Sequence, residues 1–305
     1  MSYPATQRAT ERPQARNQPA LSQSGDDEVV LTVSVTNKRL LPFSGLSKEA
    51  FTITDEKTPR EITSFSSGGG PHSIGVILDM SGSMSGNKLA AQAALFFDDF
   101  LKASHQSNEY FIMAFTERPH LLVDWTTDIS GLLRRLVEKE TGGQTALYDS
   151  LYLAIEKAKT GRHKQRAVIL ITDGSDNLSR YTYGEVRELL KESDVMLYGI
   201  YLNQGSDPGS PLAAEGKSGI FELTSITGGR GFSPLTKKEM KEVFDALAAE
   251  MRNQYRVGFK PLPVTGKPKW RSVKVKVTPP ENAPPEFRHL IVRSREGYYP
   301  DKRPL

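Results

Sequence analysis

The sequence predicts a doubly wound α/β domain, with a mostly parallel sheet, inserted into a small β-rich, sandwich-like domain. Three observations lead there. Between residues 72 and 252, apolar strand-like runs alternate with segments of helical period. Some of those runs, such as Val168 to Ile171, are apolar at every position, the pattern of a strand covered on both faces. On either side of this region the period falls to two, as expected for half-buried strands.

In chain order, Met1 to Asp26 is rich in Gln, Arg, Pro, Ser and Ala. It holds too little apolar surface to offset its ordering entropy, so residues 1–26 are expected to be disordered. They also lack the apolar core of a secretory signal. Residues 27–67 form the first β-rich segment. Val29, Leu31, Val33 and Val35 alternate with polar neighbours, and Phe51, Ile53 and Asp55 mark a second strand. Glu56 to Pro59 reads as a turn, and Ile62 to Phe65 as a third strand. Ser66 to Pro71 has the composition of a linker.

The α/β grammar then runs over 72–252. Ile74 to Leu78 is an apolar strand that ends in Asp79, and Leu89, Ala93, Phe96, Phe97 and Phe100 follow at helical spacing. Tyr110 to Phe115 is a strand. Ile129, Leu132, Leu133 and Leu136 predict one helix, and Leu147, Leu151, Ala154 and Ile155 another. A strand ends at Thr172 and Asp173, a helix holds Val186, Leu189 and Leu190, a strand spans Val195 to Tyr201, and a last helix carries Met240, Val243, Phe244 and Leu247. Residues 253–299 return to alternation in Tyr255/Val257/Phe259, Val273/Val275/Val277 and Leu290/Val292, and 300–305 form a tail. The strands on either side of the insertion are expected to pair.

Composition excludes several functions. The 305 residues include no cysteine, which removes disulfides, thiolate metal sites and thiol nucleophiles. A net charge of +4, with acidic and basic residues well mixed, gives no nucleic-acid footprint. No apolar run reaches the roughly 18 residues of a membrane span. Gly82 to Lys88 lacks the spacing of a phosphate loop, and Met84 stands where a nucleophile elbow needs Ser. His72, His105, His120, His163 and His289 show no metal-binding spacing. Lys237, Lys238, Glu239, Lys241 and Glu242 read as a solvated helix face.

In doubly wound sheets, ligands bind beyond the carboxyl ends of the strands. Three loops at such positions carry oxygen donors: Asp79-Met80-Ser81-Gly82-Ser83, Gly142-Gly143-Gln144-Thr145 and Thr172-Asp173-Gly174. Hard divalent cations favour oxygen donors, so Mg²⁺ or Mn²⁺ is expected there, with Ca²⁺ a weaker fit. Alternation along an extended loop lets Asp79, Ser81 and Ser83 face one way. Asp149, one helical turn after Thr145, either supports these donors from behind, caps a helix or faces solvent. The motif positions no general base, so no enzyme is expected.

The set Asp79-x-Ser81-x-Ser83, Thr145 and Asp173-Gly174 resembles the metal-ion-dependent adhesion site of von Willebrand factor type A domains, which have a Rossmann-like fold. The resemblance covers about Ser73 to Arg252, and Thr227-Gly228-Gly229 looks like that family's turn before its last strand and helix. It implies that Ser81, Ser83 and Thr145 ligate the metal directly. Asp79 and Asp173 act through water or from behind, and a partner protein's Asp or Glu completes the coordination. In some relatives the last helix slides when the metal engages a ligand. The function so implied is metal-dependent protein binding in adhesion, envelope assembly or signalling. The alternative is a substrate-recruiting subunit of an ATP-driven remodelling complex. Leu46 to Phe51 and Arg295-Glu296-Gly297-Tyr298-Tyr299 resemble a bacterial group of such proteins typical of Acidobacteria, often exported to periplasm or exterior. Without a signal segment in the chain, the cytoplasm is the other expectation.

Overall fold

The computed structural model describes residues 28–84, 88–129, 142–202, 211–264 and 269–300. The expectations for residues 1–26, for the helix through Leu132 to Leu136 and for residues 301–305 lie outside them. The first β segment contains β1 (Val29–Thr36), β2 (Phe51–Asp55), β3 (Thr58–Arg60) and β4 (Ile62–Ser67). The α/β segment then runs β5 (His72–Asp79), α1 (Lys88–Ala103), β6 (Glu109–Phe115), β7 (Pro119–Thr126), α2 (Leu147–Ala158) and β8 (Gln165–Thr172). It continues through α3 (Tyr183–Glu192), β9 (Val195–Tyr201), α4 (Pro211–Ile226), β10 (Arg230–Phe232) and α5 (Lys237–Arg252). Strands β11 (Tyr255–Phe259), β12 (Arg271–Val277), β13 (Ile291–Arg293) and β14 (Gly297–Tyr298) close the chain.

Six strands form the central sheet in the order β10-β9-β8-β5-β6-β7. All its pairings are parallel except that of the edge strand β7 with β6. Every residue of β5, β6 and β9 is buried, which explains the apolar runs at their centres. Ile74, Val76 and Leu78 of β5 face one layer, with Phe97 and Phe100 of α1 and Phe244 and Leu247 of α5. Ile77 faces the other, with Leu151 and Ile155 of α2, Val186 of α3 and Ile220 of α4. Each such side chain contributes roughly 1.5–3 kcal/mol on burial, so the two apolar layers fix the sheet between its helices.

The flanking strands build two four-stranded antiparallel sheets, β13-β1-β11-β4 and β14-β12-β2-β3. In the first, Leu31 lies opposite Val257, and in the second, Ile53 lies opposite Val275. Their inner faces share one core of Leu31, Val33, Ile53, Tyr255, Val257, Phe259 and Tyr298, which makes the unit a sandwich. Strands from before and after the α/β segment occur in both sheets. This is the α/β architecture with a flanking β sandwich that the sequence predicts.

Several elements differ from expectation. Ser66 and Ser67, read as linker, complete β4, and β14 adds a short strand at Gly297–Tyr298. The turn read at Glu56 to Pro59 is confined to Glu56 and Lys57, whose positive φ values of 49° and 73° make a tight hairpin, and Thr58 already belongs to β3. Strand β7 was not expected, nor was α4.

The two units meet through buried polar groups. Ser34 of β1 and Tyr198 of β9 both donate to Glu250 Oε1 of α5, each at 2.9 Å, and Arg293 of β13 donates to Glu250 Oε2. His72 donates to Gln254 Oε1 at 3.0 Å, and Gln254 donates to Tyr198 at 3.1 Å. The carboxy-terminal motif seen in the sequence is a second clamp. Arg295, 7% exposed, donates to Ser193 O at 2.9 Å and Lys191 O at 2.7 Å, answering carbonyls at the end of α3. Tyr298 donates to Asp55 Oδ2 at 2.9 Å inside the sandwich.

Candidate functional site

Three strands of the central sheet set the floor of the site. β5 ends at Asp79, β8 at Thr172, and β6 at Phe115. The loops leaving them, with the segment that enters α2, are tied to one another in a closed ring. Gly82 N donates to Gly143 O at 3.1 Å and Gly142 N to Met80 O at 3.1 Å, joining the first loop to the second. Thr145 N donates to Asn177 Oδ1 at 2.8 Å, and Asn177 N returns a bond to Thr145 O at 3.0 Å, joining the second to the third. Thr172 Oγ1 donates to Asp79 Oδ2 at 2.6 Å, joining the third to the first.

Local conformation follows from the residues present. Asp79 Oδ1 accepts from Ser81 N at 3.0 Å, and Asp173 Oδ1 from Ser175 N at 3.1 Å, the short-range turns that Asp favours. Gly174 sits at φ +83°, with its amide donating to Thr172 Oγ1 at 3.0 Å. A side chain there would clash: an added Cβ would lie 2.9 Å from the Tyr201 ring and 3.1 Å from Gly216 of α4. Helix α4 therefore packs its own glycine against the loop that carries Asp173.

Of the residues expected at the site, Asp79, Ser81 and Thr145 are buried and Asp173 is half-buried. The Ser83 side chain lies outside the described residues. Asp149 serves the scaffold in this structure, its Oδ1 accepting from Arg180 N at 2.7 Å and Tyr181 N at 2.8 Å. Thr172 was not expected as a site residue; its position beside Asp173 at a strand end is the only signal the sequence carries.

Burial pushes the Asp79 carboxyl up to about 6, against the lowering effect of hydrogen bonds from Ser81 and Thr172 and with the Asp173 carboxylate raising it further. A negative charge buried beside another is costly unless a cation answers it. Among the described residues no group of three or more His, Asp or Glu is gathered to hold a metal. The donors here are of another kind, hydroxyls with two carboxylates, and that set fits a hard divalent ion.

Residues 74–175, which include all three loops, match the family model described as von Willebrand factor type A domain. Over these residues the chain is similar to a von Willebrand factor type A domain. The α/β unit has that fold, and such domains are in general protein-interaction modules rather than enzymes. Among solved structures, the von Willebrand factor type A protein of Catenulispora acidiphila is 14% identical. That match covers 88% of this chain and 72% of the other at a TM-score of 0.47. The conserved hypothetical protein BatB of Bacteroides thetaiotaomicron is 15% identical over 58% of this chain and 97% of that one, with a TM-score of 0.43. The domain of the type V pili tip protein Mfa5 from Porphyromonas gingivalis is 14% identical over 59% and 94%, with a TM-score of 0.46. No curated protein matches the sequence. Among the described residues no helix is long and apolar enough to cross a membrane.

Proposed function

We propose that this von Willebrand factor type A domain binds a protein partner through a divalent cation held by Asp79, Ser81, Ser83, Thr145 and Asp173. The observation that supports the reading is the buried Asp79 carboxylate, tied into a ring of three loops and set near the Asp173 carboxylate. Mg²⁺ or Mn²⁺ would supply the counter-charge and a coordination position open to an outside Asp or Glu side chain. The three hydroxyls are neutral, so the ion keeps charge with which to attract that carboxylate. Such an arrangement recognises and does not turn over a substrate. Adhesion, envelope assembly or signalling are the roles this chemistry suits.

Calorimetric titration with Mg²⁺ and Mn²⁺ tests the site. The Asp79→Ala, Thr145→Ala and Asp173→Ala variants should each lose metal binding while their circular dichroism stays that of the wild type. Unchanged titration curves in folded Asp79→Ala and Asp173→Ala proteins overturn the reading.

A further inference from the structure

At the end of the central sheet away from the metal loops, the α/β unit and the sandwich border a partly enclosed cavity of about 40 Å³. His72, Gln165 and Val195, the first residues of β5, β8 and β9, line one side of it. Thr32 of β1 and Arg256 of β11 close it from the sandwich. Arg256 lies opposite Thr32, and its chain neighbours Tyr255 and Val257 belong to the sandwich core. Side chains alternate along a strand, so Arg256 points out of the sandwich towards the α/β unit. The space holds about three waters, which is room for one small oxyanion.

The charges on the walls do not balance. Lys164, Arg166, Arg256 and Arg295 line the cavity together with one acid, Asp194. Asp194 already accepts from Arg166 at 2.7 Å. Arg295 donates to the carbonyls of Gly297, Ser193 and Lys191, neutral groups that satisfy its N–H donors and leave its charge unmatched. Arg256 is half-buried, and among the described residues its side chain forms no ion pair. Burial pulls the Arg256 guanidinium below its ordinary range, with Asp194 and Glu28 acting the other way. Burial pulls Arg295 down to about 10, again with Asp194 opposing it. Glu28 is not part of the lining and accepts from Thr63. His72, held down to about 4, adds no charge at neutral pH. One carboxylate on the wall therefore faces three guanidinium groups, brought from β8, β11 and the stretch before β14.

We infer that this junction is a binding site for a free tetrahedral oxyanion, phosphate or sulfate, held by Arg256 from the sandwich in the positive field of Arg166 and Arg295. Planar guanidinium groups suit such an anion, which takes paired N–H donors. Buried charges of one sign are costly until an opposite charge joins them, so the ion would fasten the sandwich to the α/β unit. The site lies at the opposite strand ends from Asp79 and Asp173, and the inference does not depend on the metal-site reading.

The probe is inorganic phosphate, titrated calorimetrically into the full chain in EDTA, with sulfate as a second anion and chloride of equal ionic strength as the control. The wild type should bind one phosphate, and at about tenfold excess over Kd its thermal midpoint should rise by about 3 °C above that in chloride. Arg256→Gln should weaken phosphate binding by about 10-fold or more, the worth of a hydrogen bond between charged groups. Arg256→Lys keeps the charge without the fork and should fall between the two; it carries the test if Arg256→Gln does not fold. Asp79→Ala should bind phosphate as the wild type does. Glycerol 3-phosphate, with a tail that this space does not hold, should bind more weakly than phosphate. Equal phosphate affinity in the wild type and the Arg256 variants overturns the site, as does a wild type that binds neither phosphate nor sulfate. Loss of binding in Asp79→Ala would put the anion at the metal loops, and glycerol 3-phosphate binding as tightly as phosphate would put it on the open surface; either result overturns the cavity.

Discussion

The hydroxyl of Thr172 donates to Asp79 Oδ2 at 2.6 Å and joins the ends of two adjacent parallel strands. The same oxygen accepts from Gly174 N at 3.0 Å, so one fully buried threonine orients the carboxylate of the first loop and the backbone of the third.

Replacing Thr172 by Val keeps its shape and removes both bonds. Groups that orient metal ligands typically cost 10- to 100-fold in affinity when lost. Thr172→Val is expected to weaken Mg²⁺ binding by about that factor, while Thr172→Ser stays within a few-fold of wild type. Calorimetry on the two variants decides it, and equal affinities would remove Thr172 from the site.

Gly216 offers a test with an unusual sign. Inside an exposed helix, Gly→Ala normally stabilises by about 1 kcal/mol. Here the new Cβ would meet Gly174 O at 2.7 Å. Gly216→Ala should instead destabilise by about 1–3 kcal/mol and loosen metal binding, because the Asp173 loop must shift. The urea midpoint would move down; a rise would mean that α4 and the loop are not in firm contact.

Burial holds the His72 imidazole down to about 4, against its ordinary 6.5 and despite its bond to Gln254. The unfolded chain therefore binds a proton that the folded chain refuses between these values. Stability from this group is complete above about pH 6.5 and falls as pH drops towards 4, by on the order of 3 kcal/mol in all. Urea unfolding from pH 7 to 4 should show that loss in the wild type and less of it in His72→Gln. Parallel curves for the two proteins would assign the acid sensitivity elsewhere.

Glu250→Ala should be the costliest single change at the junction of the two units. It removes the carboxylate that answers the Arg293 guanidinium and accepts from Ser34 and Tyr198, a loss of about 3–5 kcal/mol for a buried pair. On the same helix, Lys241→Ala removes only an exposed pair with Asp245 and should leave the thermal midpoint unchanged. Similar midpoints for both variants would mean the junction carries little of the stability.

What the sequence disclosed depended on how each element is buried. Strands such as β5 and β8 are covered on both faces, so their apolar runs announce them, and α1, α2 and α5 show one apolar stripe each. Strand β7 is an edge whose residues His120, Leu121 and Leu122 are all exposed, so no period of two survives to be read. Helix α4 contains Gly216 and Gly219, poor helix formers, and the first of them is there for contact with Gly174. At the candidate site, residue types and loop positions pointed to Asp79, Ser81, Ser83, Thr145 and Asp173. The structure adds the ring of bonds between their loops and the part of Thr172 in it. Asp149 had three open readings because helical spacing alone cannot tell which way a carboxylate turns. Its bonds to Arg180 and Tyr181 depend on a loop some 30 residues later, at sequence separations of 31 and 32.

Where the α/β segment begins and ends, Gly69 N donates to Arg252 O at 2.7 Å. Its two ends are thus held side by side, and this has a consequence for the order of folding. Ser34 and Glu250 are 216 positions apart, and strand β1 cannot gain β11 until everything between them has been made. Closing so long a loop in an unfolded chain is slow, since the entropy must be spent before any distant contact rewards it. Once the inserted segment has collapsed, the path between the sandwich strands shrinks to the short span across Gly69 and Arg252. The sandwich is therefore expected to zip after the inserted segment has folded, and hydrogen-exchange labelling during refolding that protects β1 and β11 before β5 and β8 would overturn this.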